Sequence, residues 1–182
     1  ARALALMPAF LTLYFGWGFL QVASTGPFTA VLPWAPQLGL SLSFHFDGLG
    51  LLFAILITGI GTLITLYAAD YLGAHPLASR FYITLFAFMG SMLGVVLSDN
   101  ILVLFVFWEL TGFTSYFLIA FDHERPEARR AALQALIVTG GGGVPLLAAG
   151  FGICQPSRTP SLSAIRAAGD SLAAAPMYAA LA

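Results

Sequence analysis

The sequence predicts an all-α polytopic membrane protein, and three observations carry that prediction. Of 182 residues, 59% are hydrophobic and only 8% are charged, where an ordinary soluble domain has roughly 25% charged residues. Mean hydropathy is +0.91. Several apolar runs reach the roughly 20 residues a helix needs to cross the hydrocarbon of a bilayer. A soluble enzyme is excluded on these grounds. A net charge of −1 offers no basic face to nucleic acid, and the single Cys154 excludes both an internal disulfide framework and a cysteine metal cluster. All seven basic residues are arginines. The chain opens on ARALALMPAF and stops inside the apolar run MYAALA, so it reads as an internal piece of a longer polypeptide.

Helices are expected where apolar runs are bounded by Gly, Pro, Asp or Asn. The first is expected over residues 3–22. Residues 24–47 hold too many Pro and Gly for a helix, and Leu40-Ser41-Leu42-Ser43-Phe44-His45-Phe46 alternates apolar with polar, the pattern of a short hairpin strand at the membrane surface. The second helix is expected over residues 48–71, with Asp47 as its N-cap, and the third over 80–97. Ser98-Asp99-Asn100 reads as a tight turn in which Asp99-Asn100 caps the fourth helix, residues 101–121. The charged loop DHERPEARR precedes a fifth helix over 128–153. Residues 154–175 read as a polar linker with a short surface helix over 162–168, and a sixth membrane helix is expected from 176 to 182. Pro145 cannot donate to the carbonyl of Gly141, which predicts a kink in the fifth helix.

Because the helices alternate direction, Arg2, Arg80, Arg125, Arg129 and Arg130 fall on one side, with Arg158 and Arg166 on the other. The positive-inside tendency then places loop 122–128 in the cytoplasm, and residues 24–47 and 154–175 outside it.

The chemistry concentrates in FVFWELTGFTSYFLIAF, residues 105–121, which carries one acid, Glu109. Glu109 lies about nine residues into its helix, roughly 13 Å from the end at 1.5 Å per residue, near the middle of a hydrocarbon core about 30 Å thick. An acid there costs on the order of 2.5–3.5 kcal/mol on insertion scales and generally faces a bundle interior or a wet cavity. Desolvation favours the neutral acid and a nearby cation favours the carboxylate. A group held between those two influences can take up and release a proton when the cation moves, which is what a proton relay requires. The alternative is a protonated acid bonded to a neighbouring helix for structure alone. Helical spacing puts Phe105, Gly112, Phe113 and Tyr116 on the same face. Tyr116 extends a polar path toward the cytoplasmic end, with Thr111 and Ser115 further round the helix. Gln134 is read either as packing glue between helices or as a path residue. His123, between Asp122 and Glu124, is either a proton antenna or a solvated loop histidine. The run Gly140 to Gly143 permits close helix contact and is not a phosphate loop, since no Lys-Ser/Thr follows it. No histidine has metal-ligand spacing, and no nucleophile–base set is arranged for catalysis.

Three motifs, DGLGLLFAILITGIGTLITLYAADYL (47–72), FMGSMLGVVLSDN (88–100) and FWELTGFTSYFLIAF (107–121), occur in one order. Together they make residues 34–152 resemble the N-terminal part of the A component of the Mrp multisubunit Na+/H+ antiporters. More loosely they resemble the antiporter-like proton-pumping subunits of respiratory complex I. The resemblance implies an antiporter-like helix bundle built from inverted five-helix repeats, in a bacterial cell membrane, working with other membrane subunits on H+ and Na+ and without a cofactor. It places the family's glutamate on Glu109, paired with a lysine on a later broken helix. This chain has no lysine, so that partner is expected beyond residue 182. Relatives often carry a lysine in the stretch that matches Gln134, and this sequence departs from them there. The leading expectation is a component of a cation/H+ antiporter driven by the proton motive force. The alternatives are a proton-pumping component of a redox enzyme and a non-conducting assembly scaffold.

Overall fold

The computed structural model describes residues 2–35, 40–73, 75–157 and 161–167. Among them, five helices are long and apolar enough to cross a membrane. A 3-10 turn, Arg2–Ala5, leads into α1, Leu6–Thr25. Two strands follow, β1 Phe28–Ala35 and β2 Leu40–Phe46. Then come α2 Gly48–Tyr71, α3 Ala78–Leu97, α4 Ile101–Ile119, α5 Pro126–Ser157 and the short α6 Leu162–Ala167. Each long helix packs on the next in the chain, α1 on α2 through α4 on α5.

The ends of the helices follow local hydrogen bonding more closely than hydropathy. The first helix runs three residues past the expected 22, because the Ser24 and Thr25 hydroxyls donate to the Gln21 carbonyl at 2.8 and 2.9 Å and keep the polar turn helical. Gly26, at φ 87°, then turns the chain out while its N–H bonds the Val22 carbonyl, a conformation that carries no steric penalty for glycine. Asp47 caps α2 by accepting from the Gly50 N–H at 2.7 Å. The third helix starts at Ala78 rather than 80, and α4 ends at Ile119 rather than 121. The fifth helix starts at Pro126, where the missing N–H costs nothing, and runs through Pro145 to Ser157. The expected linker therefore begins later than residue 154: Gln155-Pro156-Ser157 is polar, but polarity alone does not end a helix. The expected helix over 176–182 lies outside the described residues, as does the rest of the linker after 167.

The hairpin pairs Phe28 with Phe46, Thr29 with His45 and Ala30 with Phe44, antiparallel, with an irregularity between Pro33 and Ala35. A two-stranded sheet consists only of edge strands, which is where Pro33 can be accommodated. The Phe28 and Phe46 rings stack at 4.8 Å. The Ser43 carbonyl accepts from the Asp99 N–H at 2.8 Å, so the hairpin is tied to the α3–α4 turn.

That turn divides its labour differently from the expectation. Asn100 alone caps α4, its Oδ1 accepting from the N–H groups of Leu102 and Val103. Asp99, 4% exposed, reaches the other way and accepts from Ser161 Oγ, Ser163 N and Ser163 Oγ at 2.7–2.9 Å, holding the start of α6. The expected shared cap fails because adjacent residues project in different directions, and only one can face the first turn of α4.

Small residues make the helix contacts possible. In α2, Gly50, Ala54, Thr58, Gly61, Thr65 and Ala68 are buried at spacings of three and four, one stripe of the helix surface. The Thr58 and Thr65 hydroxyls donate to their own helix, to the Ala54 and Gly61 carbonyls at 2.8 and 2.7 Å, so the stripe is polar in composition and satisfied in place. Gly61 faces the Met89 sulfur of α3, and Gly94 of α3 lies under the Phe107 ring of α4. Replacing Asp99 with Ala removes three acceptor contacts at once. At about 1 kcal/mol per hydrogen bond, we expect residues 161–167 to lose protection in hydrogen–deuterium exchange while α1 to α4 keep theirs.

Candidate functional site

Glu109 sits halfway along α4, and the α4–α5 seam determines what surrounds it. The seam runs antiparallel. Ile101 meets Gly150, Phe105 and Glu109 meet Gly143, Glu109 also approaches Gly140, and Gly112 meets Thr139. On both helices, then, glycine stands where the partner brings a bulkier side chain. In lipid, where no hydrophobic effect pulls helices together, such small residues let backbones approach and gain dispersion contact. The Trp108 indole N–H adds one interhelical hydrogen bond, to the Thr139 carbonyl at 3.4 Å.

The Glu109 carboxyl group lies against the bare backbone of α5. Its Oε1 occupies the space a side chain at Gly143 would need, and its Oε2 is 4.0 Å from the position of a Cβ on Gly140. Gly141 and Gly142 have nothing within 4 Å of such a Cβ. The four-glycine run is thus two pairs: 140 and 143 face the acid, 141 and 142 do not. Glu109 is half-buried, and among the described residues it makes no hydrogen bond or ion pair.

The other candidate residues are dispersed around this position. Phe105 and Gly112 share the seam with Glu109. Phe113, expected on that face, is 51% exposed and turned outward. Tyr116 is half-buried, two turns or about 10 Å along the axis from Glu109, with its ring edge-on to Phe117. The Thr111 hydroxyl is occupied by its own helix, donating to the Phe107 carbonyl at 2.7 Å. Ser115 is half-buried. Gln134 is exposed, and the α5 residues that face Glu109 begin six positions further on, about 9 Å along the axis. The structure does not bring Gln134 to the acid. His123 is exposed in the loop, and its carbonyl accepts from the Arg129 guanidinium at 2.7 Å.

Two hollows, largely apolar but each with titratable side chains in its lining, mark the ends of the bundle. On the side of the arginine loop, a hollow of about 550 Å³ is lined by His75, Asp122, His123 and Glu124 among others. On the hairpin side, one of about 570 Å³ is lined by His45, Asp47 and Asp99 among others. Glu109 lines neither. Among the described residues no group of three or more His, Cys, Asp or Glu is placed to hold a metal ion.

The pairing of Glu109 with Gly140 and Gly143 was not anticipated. Its signal is the three-residue spacing of those glycines on one face of an apolar helix, which becomes readable only once the facing helix is known.

Comparison with known proteins bears on the same segments. The family model for the N-terminus of chain 5 of NADH-ubiquinone oxidoreductase (complex I) matches residues 34–82. That for the transmembrane region of NADH:quinone oxidoreductase and Mrp antiporters matches residues 98–179. A probable K+/H+ antiporter A/B component of Rhizobium meliloti is 42% identical over 157 residues, 86% of this chain. A Na+/H+ antiporter A1 component of Staphylococcus aureus is 45% identical over 131 residues, 72% of this chain. The chain spans 16% of the length of each of these relatives. In the Mrp complex from Dietzia sp., one chain superposes on 98% of this one with a TM-score of 0.86 and 33% identity, and 19% of that chain is covered. An archaeal membrane-bound sulfane sulfur reductase matches at TM-score 0.75 and 21% identity, covering 98% of this chain and 36% of its own, a likeness of fold alone.

The seam makes its own prediction. A Cβ on Gly112 would already stand 3.3 Å from Thr139 Cγ2, so Gly112→Val overpacks the contact and should cost about 1–3 kcal/mol. Thermal unfolding in detergent should show that loss, whereas Gly90→Ala, whose Cβ meets nothing within 4 Å, should show far less.

Proposed function

The chain belongs to the NADH:quinone oxidoreductase/Mrp antiporter family, and from that premise we propose that it is part of a protein exchanging a monovalent cation for protons across a membrane, with Glu109 as the proton relay. The observation that carries the reading is the position of Glu109, an acid at mid-helix held in a glycine-lined seam, with a hollow carrying titratable side chains toward each end of the bundle. In this reading the carboxyl group accepts a proton by way of one hollow and yields it toward the other. What drives the exchange is a cationic partner whose approach favours the carboxylate and whose withdrawal favours the neutral acid. The resemblance supplies that partner as a lysine, which none of these 182 residues provides. Tyr116 continues the path toward the arginine-loop side, with Thr111 and Ser115 flanking it. His123 is a collecting group at its mouth, and Gln134 has no part in the transfer at Glu109.

The proton motive force supplies the energy, each charge crossing 100 mV being worth about 2.3 kcal/mol. The arginine distribution supports a cytoplasmic placement for loop 122–128 and an outer placement for the hairpin. The cation is proposed to be Na+, in keeping with the Staphylococcus aureus relative; the Rhizobium meliloti relative, named for K+/H+ antiport, makes K+ the second reading. Other membrane subunits complete the assembly, with lipid around the exposed faces.

Two measurements test this. In everted vesicles holding a proton gradient, adding Na+ or K+ should collapse the gradient through the assembled protein, and Glu109→Gln should abolish the response without lowering the amount assembled. Exchange at the parental rate by Glu109→Gln would refute the relay and favour a scaffold. Purification under mild detergent should yield small cation-antiporter subunits; iron–sulfur and flavin subunits in their place would assign the chain to a redox-driven pump.

A further inference from the structure

The glycine run in α5 has no sequence-level explanation beyond close packing, and at helical spacing only Gly140 and Gly143 of the four share a face. The geometry separates them. A Cβ on Gly143 would overlap Glu109 Oε1 and crowd Glu109 Cδ and Phe105 Cε2 at 3.2 and 3.3 Å, a Cβ on Gly140 would make an ordinary 4.0 Å contact with Oε2, and Gly141 and Gly142 would meet nothing within 4 Å. Glycine is the worst helix former after proline, so its use at Gly143 carries a cost in helix propensity that the space given to the acid explains. We infer that Gly143 is the positioning residue of Glu109: by having no side chain it lets the carboxyl group lie directly against the α5 backbone, and so sets where in the membrane the proton is held. The inference rests on the reading of Glu109 as the relay and adds the residue that determines its geometry.

The consequence of filling that space is specific. The atom in the way is the tip of a flexible side chain, and the Phe105 ring beside it needs to give by only a few tenths of an ångström. Gly143→Ala should therefore fold and assemble, while Glu109 takes up another rotamer. Rates of transfer between fixed groups are sensitive to such shifts, a misplacement of about 1 Å costing on the order of 100-fold.

The test uses the complete protein in membrane vesicles, with two readouts. One is cation-dependent proton exchange. The other is the rate at which dicyclohexylcarbodiimide modifies Glu109, followed by mass spectrometry, which reports the environment of the carboxyl group whether or not transport occurs. Gly143→Ala is expected to lower exchange on the order of 10- to 100-fold and to change the modification rate, at unchanged assembly. Gly141→Ala should match the parent in both, and Gly140→Ala should stay close to it. If Gly143→Ala cannot be told from Gly141→Ala in either readout, the inference is overturned. If Glu109→Gln transports normally while Gly143→Ala still alters modification, the placement by Gly143 stands and the relay reading beneath it falls.

Discussion

A single acid halfway along a helix long and apolar enough to cross a membrane, where burying a charge costs on the order of 2.5–3.5 kcal/mol, is the demand to which the second half of this chain answers. Removing Glu109 from lipid requires a helix close enough to cover it and smooth enough to leave it room. The fifth helix meets both conditions by presenting Gly140 and Gly143 to the acid and Thr139 to Gly112 one turn away. The carboxyl group, half-buried, thereby lies against bare helix backbone on one side.

The rest of the bundle supports this seam by the same means. Helices in lipid associate through packing and hydrogen bonds, and the contacts here alternate small with large: Gly61 with Met89, Gly94 with Phe107, Gly150 with Ile101. Phe107 matters twice, since it lies on Gly94 of α3 and tilts against Phe44 of the hairpin, with ring centroids 6.3 Å apart. One residue away from Trp108 and two from Glu109, it links the hairpin, α3 and the site-bearing helix. At the end of the bundle, Asn100 and Asp99 tie α4 and α6 to the same turn, so the helix that carries the acid is anchored before its first apolar turn ends.

Much of this was legible in the sequence where one interaction dominates. Apolar runs of about 20 residues located the membrane helices, the alternation in residues 40–46 located β2, and Asp47 marked the start of α2. Legibility failed where two local options compete. The end of α1 depended on whether Ser24 and Thr25 bond water or Gln21, and hydropathy cannot decide that. Asp99 and Asn100 are both good caps, and only the distant Ser161 and Ser163 show which one serves α4. Glu109 was visible as an anomaly from composition alone, because one acid in an apolar run needs no neighbour to be noticed. Its surroundings were not. The glycines that accommodate it are 31 and 34 positions away, and Gln134, the conspicuous polar residue of α5, proved to be exposed and more than a turn from the contact.

The proposed exchange requires Glu109 to change its protonation as cations are carried. Infrared difference spectroscopy of the assembled protein in lipid, recorded on switching between cation-free and cation-containing buffer, addresses that directly. A relay predicts a band of a protonated carboxyl group that changes with the cation and disappears in Glu109→Gln. A difference spectrum identical in parent and Glu109→Gln would contradict it.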